Sequence, residues 1–156
     1  MSLMLLVSAC SIGNMISPPP APPPQPPRFT PPATLAPRAE ATAPAQVRDE
    51  IARWFTDAGY KSYQVAALVE HARIESGFEP CAAGPAGLHY TFQWGGLRLR
   101  RLREFSGGPA CPSLDVQLAF ADNELRNQPA YWCFWRATSE PTALTALRRG
   151  FGRGHC

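Results

Sequence analysis

The chain has 156 residues, 45% of them hydrophobic and 17% charged, with a formal net charge of +3. That length bounds it to one domain plus tails, and so mild a charge gives no sign of a nucleic-acid partner. The 18 prolines are unevenly spread, most falling between Pro18 and Pro44. They divide the chain into a head (1–17), a Pro-rich tether (18–44) and a domain (45–156).

In the head, Leu3 to Ala9 is apolar and far too short to span a bilayer. Its length suits the apolar core of a secretory signal. Val7-Ser8-Ala9-Cys10 followed by Ser11 resembles a bacterial lipobox, although no Lys or Arg precedes the apolar run. The resemblance implies a lipid on Cys10 and a place in the bacterial cell envelope, anchored to a membrane and facing the periplasm. The tether, rich in Pro, Ala and Thr, cannot bury a core and is expected to be extended and partly polyproline II. At about 3.1 Å per residue it reaches on the order of 80 Å. Beyond Cys10 the chain carries Cys81, Cys111, Cys133 and Cys156. Four cysteines in an exported domain can form two disulfides in three connectivities. With no CxxC pair, neither a metal nor a redox site is expected.

The domain reads as mainly α. Val47, Ile51, Trp54 and Phe55 make a helical stripe over 45–57, which Gly59 ends. A second helix is predicted over 62–76, with Val65, Leu68, Val69 and Ala72 on one face and Gly77 as its stop. Gly84 to Gly96 reads as a Gly- and aromatic-rich loop or short hairpin. A short helix is predicted over 97–105. Pro112-Ser113 opens another, carrying Leu114, Leu118, Ala121 and Leu125. Tyr131 to Trp135 reads as a buried helix, and Ser139-Glu140-Pro141 starts the last one, with Leu144, Leu147 and Phe151. Arg98, Arg100, Arg101 and Arg103 form a basic patch that reads as a solvated helix face or a contact for an anionic polymer.

Glu75 stands out. With about 100° per residue and Val65 at zero, Leu68 lies near −60°, Ala72 near −20° and Glu75 near −80°. A carboxyl at that edge of an apolar face is partly desolvated, which raises its pKa. A general acid of glycoside cleavage needs that property. Glu70, near 140°, lies on the opposite face.

Ile74-Glu75-Ser76-Gly77-Phe78-Glu79-Pro80 resembles the Glu-Ser-Gly-Phe-x-Pro signature of lysozyme-like enzymes, among them lytic transglycosylases and the phage tail lysozymes. Gly87-Leu88, Gln93-Trp94 and Arg98 resemble that group's Gly-Leu-x-Gln-Trp segment and trailing Arg. Gln117 to Leu125 is similar to its Gln-Leu-x-Phe-x-x-x-Glu-Leu helix. The resemblance covers nearly all of residues 45–156, in the same order. It implies a lysozyme-like helical fold, Glu75 as catalytic acid beside a sugar groove, and Ser76, Gln93 and Trp94 as substrate contacts. One departure is His89-Tyr90-Thr91-Phe92, which stands where the family has a single residue. This reshapes the loop beside Glu75 and makes His89 and Tyr90 substitute substrate contacts.

The implied partner is the glycan strand of peptidoglycan, and no cofactor is required. Hydrolysis generally uses two carboxylates. Glu79 and Asp122 are candidates for the second, with nothing to mark either. A lytic transglycosylase needs one acid, because the sugar's own 6-hydroxyl attacks. The alternative is an inactive peptidoglycan-binding envelope lipoprotein that keeps the fold.

Overall fold

The computed structural model describes residues 43–108 and 110–153. The signal-like head, Cys10, nearly all of the tether and Cys156 lie outside the described residues. Among the described residues six α-helices follow in order: α1 (Pro44–Asp57), α2 (Ser62–Ser76), α3 (Gly96–Phe105), α4 (Leu114–Asn127), α5 (Trp132–Arg136) and α6 (Glu140–Arg153). Single 3-10 turns stand at Pro85–Gly87 and Pro129–Tyr131. Among the described residues there is no strand. The predicted Gly-rich loop or hairpin is a loop pinned by two isolated antiparallel bridges, Ala83 to His89 and His89 to Trp94. No described helix is long and apolar enough to cross a membrane.

Local chemistry sets the helix ends. Pro44 occupies the first turn of α1, where a missing N–H costs nothing. The Gln46 and Gln64 side chains reach back to accept the N–H groups of Ala43 and Lys61, at 3.3 and 3.0 Å, capping α1 and α2. Gly77 closes α2 in the left-handed conformation (φ 61°), its N–H on Arg73 O at 3.0 Å.

Helix α2 is the central element, packed by α1 and by α6. Its buried positions are Gln64, Val65, Ala67, Leu68, His71 and Ala72. On a helical wheel these span about −160° to 0°, wider than the stripe visible in the sequence, because two helices cover it. Val47, Ile51 and Phe55 of α1, Leu118 and Leu125 of α4 and Leu147 of α6 complete the core. The Tyr131–Trp135 run corrects the expectation of a buried helix. Tyr131 and Phe134 are buried, but Trp132 is 61% exposed, since residues three apart share a face and their neighbours do not.

A disulfide joins Cys81 to Cys111, with Cα atoms 5.7 Å apart. Cys133 is also disulfide-bonded.

Candidate active site

The chain reverses direction immediately after α2. Gly77 at φ 61° is followed by Phe78 at φ 68°, a left-handed pair unusual for an aromatic residue. The last turn of α2 is thereby left at a bend, with Glu75 on it. The Glu75 side chain keeps 29% of its surface exposed. Burial pushes its pKa upward, against the opposing pull of the Arg148 and Arg98 guanidinium groups. The wheel explains the burial: Glu75 falls within the wide covered arc of α2, not at its edge.

One turn earlier, His71 is 1% exposed. Its ring packs against Phe151 of α6, centroids 4.9 Å apart, and against Phe92 of the loop at 5.8 Å, the two phenyl rings themselves lying 5.9 Å apart, so that the three form one near-parallel cluster. Nδ1 lies 3.6 Å from Glu75 Oε1, just outside hydrogen-bond range, and neither ring nitrogen has a hydrogen-bond partner. Burial, reinforced by Arg98 and Arg148, pushes the His71 pKa down to about 3. The imidazole is neutral across the ordinary pH range.

Arg98 of α3 is held from below. Its Nε and Nη2 donate to Glu124 Oε1 and Oε2 at 2.8 and 2.6 Å, a two-pronged charge-assisted pair. Its guanidinium carbon lies 4.4 Å from the centre of the Phe151 ring. Glu124 of α4, 2% exposed, also accepts the Trp94 indole N–H at 2.9 Å. Arg98 is therefore partly buried and tied inward, apart from the basic patch, while Arg100, Arg101 and Arg103 are exposed.

The loop before α3 is strapped to the start of α4. Buried Gln117 donates to Pro80 O and Pro112 O, both at 2.9 Å, and accepts the Thr91 N–H at 3.0 Å. Tyr90 OH donates to Ala110 O at 2.6 Å, and the Cys81–Cys111 bridge spans the same gap. The extra segment His89–Phe92 folds inward through positive φ at Tyr90 (70°) and Gln93 (50°), carrying Phe92 onto His71.

That inward fold decides the fate of the other candidate contacts. Trp94 is fully buried and Tyr90 is 2% exposed. Both face the core, because their polar ends are consumed by Glu124 and Ala110, and neither offers a surface to a ligand. Gln93 is 8% exposed, its Nε2 donating to Tyr90 O at 3.0 Å. His89 and Ser76 keep partial exposure. Ser76 Oγ donates to Ala72 O at 3.0 Å. Of the second-carboxylate candidates, Asp122 is engaged by Arg126 and by Tyr60 OH, each at 2.6 Å. Glu79 is exposed and accepts the Cys81 N–H at 3.2 Å. A separate groove between α5 and α6, lined by Arg136, Thr138, Thr142, Thr145 and Arg149, includes none of these residues. Among the described residues no cluster of metal-ligating side chains occurs.

Sequence reading singled out Glu75 and missed its surroundings. His71, Phe92, Arg148 and Phe151 come from α2, the loop and α6. The one local signal was the four-residue spacing of His71 and Glu75, which puts them on the same helix face. The family model for phage tail lysozyme matches residues 46–151. No curated protein and no solved structure gives a significant match.

Proposed function

The chain belongs to the phage tail lysozyme family, and on that premise we propose that it cleaves peptidoglycan glycan strands at the MurNAc–GlcNAc bond with Glu75 as general acid. The observation that carries this reading is the state of Glu75. Burial raises its pKa above that of an ordinary carboxyl, while 29% of the side chain stays exposed to meet a substrate. Such a group delivers its proton to the glycosidic oxygen as the C–O bond breaks.

The finer proposal is a lytic transglycosylase. It relies on one acid: of the two candidates for a second carboxylate, Asp122 is engaged by Arg126 and Tyr60, and Glu79 accepts the Cys81 N–H. The Glu75 carboxylate left after the first transfer then takes the proton of the muramic acid 6-hydroxyl. The freed oxygen closes on the anomeric carbon, giving a 1,6-anhydro end without consuming water. Ser76, His89 and Gln93 are the proposed substrate contacts. The same reading places the domain in the bacterial envelope, carried on a lipid at Cys10 and on its tether.

Mass spectrometry of purified peptidoglycan incubated with the oxidised chain, beside Glu75→Gln, tests this. Products lighter by one water per cut are expected, with the variant slower by about 100-fold or more. Ordinary reducing ends would identify a hydrolase. No cleavage by the folded wild type, with binding to the wall retained, would reject the enzyme in favour of a binding module.

A further inference from the structure

The best-enclosed polar group beside Glu75 has no assigned task. His71 is 1% exposed, yet both of its ring nitrogens lack a partner, which is unfavourable for buried polar atoms. Phe151 and Phe92 pack against it as a mutually contacting pair, with interplanar angles to the imidazole of 24° and 16°. Close burial among these near-parallel rings restricts the imidazole. The nearby polar atom it meets is Glu75 Oε1, 3.6 Å from Nδ1.

We propose that His71 is the positioning residue of the Glu75 acid: its Nδ1–H donates to Glu75 Oε1 and so leaves Oε2 to carry the proton toward the substrate. This rests on the reading of Glu75 as the acid. Closing the gap takes an approach of about 0.6 Å to reach ordinary N–H···O distance. Contacts of this kind tighten when a substrate occupies the site. The geometry also needs no change of tautomer. Before transfer Oε1 is the carbonyl oxygen of a carboxylic acid, and afterwards it is half of a carboxylate. It accepts the same N–H in both states, more strongly in the second.

The charges around the pair favour this assignment. From α3 and α6, Arg98 and Arg148 act on both His71 and Glu75, and Arg98 is itself neutralised in part by Glu124 of α4. Two cations beside a dry imidazole oppose an imidazolium, so His71 serves as a fixed neutral donor and does not exchange protons with the carboxyl. The aromatic contacts come from Phe92 and Phe151. The inserted loop that buries Tyr90 and Trp94 thus also provides one wall of the slot.

A carbon-13 NMR titration of the glutamate carboxyls in the full chain tests the pairing, with Glu75 assigned from Glu75→Gln. His71→Phe keeps a ring in the slot and removes the donor. His71→Asn gives up the ring and restores an N–H near the Nδ1 position. The Glu75 midpoint should rise by about one pH unit in His71→Phe, because a hydrogen bond favouring the carboxylate is gone, and return toward wild type in His71→Asn. An unmoved midpoint in folded His71→Phe overturns the proposal, as does His71→Asn behaving like His71→Phe. If the Phe variant does not fold, nitrogen-15 shifts of the wild-type imidazole decide: protonation at Nδ1 supports the pairing and protonation at Nε2 overturns it. On wall fragments the alkaline limb of kcat/KM should follow the Glu75 midpoint in each variant. A wild type that cleaves nothing while Glu75 titrates as described refutes the glycosidase reading and leaves the pairing intact.

Discussion

Glu75 and His71 are both uncomfortable in the fold, and for opposite protonation states. Burial raises the Glu75 pKa above its ordinary 4.5, so ionised Glu75 costs stability once the pH exceeds its folded pKa. Glu75→Gln removes that cost. The variant should therefore melt higher than wild type at pH 7 while losing activity, and the gap should shrink as the pH falls toward 4.5. His71 works the other way. Its pKa drops from 6.5 to about 3 on folding, so below pH 6.5 the unfolded chain takes up a proton that the native state refuses. Each pH unit in that window costs about 1.4 kcal/mol, offset in wild type by the proton native Glu75 gains. Glu75→Gln should thus lose stability more steeply between pH 6.5 and 4. Melting curves across that range check both statements; equal slopes for the two proteins would contradict them.

Between elements, the network that matters most is the one under Arg98. Glu124 holds α3 to α4 through Arg98 and the loop to α4 through Trp94. Glu124→Ala leaves the Trp94 N–H and the Arg98 charge without their acceptor. The loss should be about 3 kcal/mol, the low end for a broken buried pair, because Arg98 is 20% exposed and water can partly replace the carboxylate. Glu124→Gln keeps an acceptor for Trp94 and should lose less. Urea unfolding of the two variants measures the difference. Sequence located these helices well: α2 is observed over its predicted span, and the starts of α1, α3 and α6 fall within a residue of expectation. Periodicity and the stops at Gly59 and Gly77 are local properties, and that is why they were legible. Which helix would cover which face was not, and with it the burial of His71.

Across the whole molecule, the disulfide does work that the small helical core leaves undone. Cys81–Cys111 closes a 30-residue separation, and chain-entropy reasoning gives it roughly 3–4 kcal/mol. Replacing both cysteines with alanine should lower the unfolding free energy by about that amount. It should also loosen the loop that carries Phe92, with faster amide exchange at 80–94 as the readout. Unchanged exchange there would mean that Gln117 and Tyr90 suffice as straps. The sequence by itself determined the helical class, the helix spans, the family resemblance and the choice of Glu75, because each rests on neighbours along the chain or on a contiguous motif. It left three cysteine pairings open and made Trp94 and Tyr90 contacts for a sugar. Only the tertiary structure decided those matters. Cys81–Cys111 follows from two loops meeting in space, and Trp94 turns inward because Glu124, thirty residues away, is buried where its indole N–H can reach. Glu75 was visible in one dimension; its surroundings are assembled from α2, α3, α6 and a loop, and exist only once they pack.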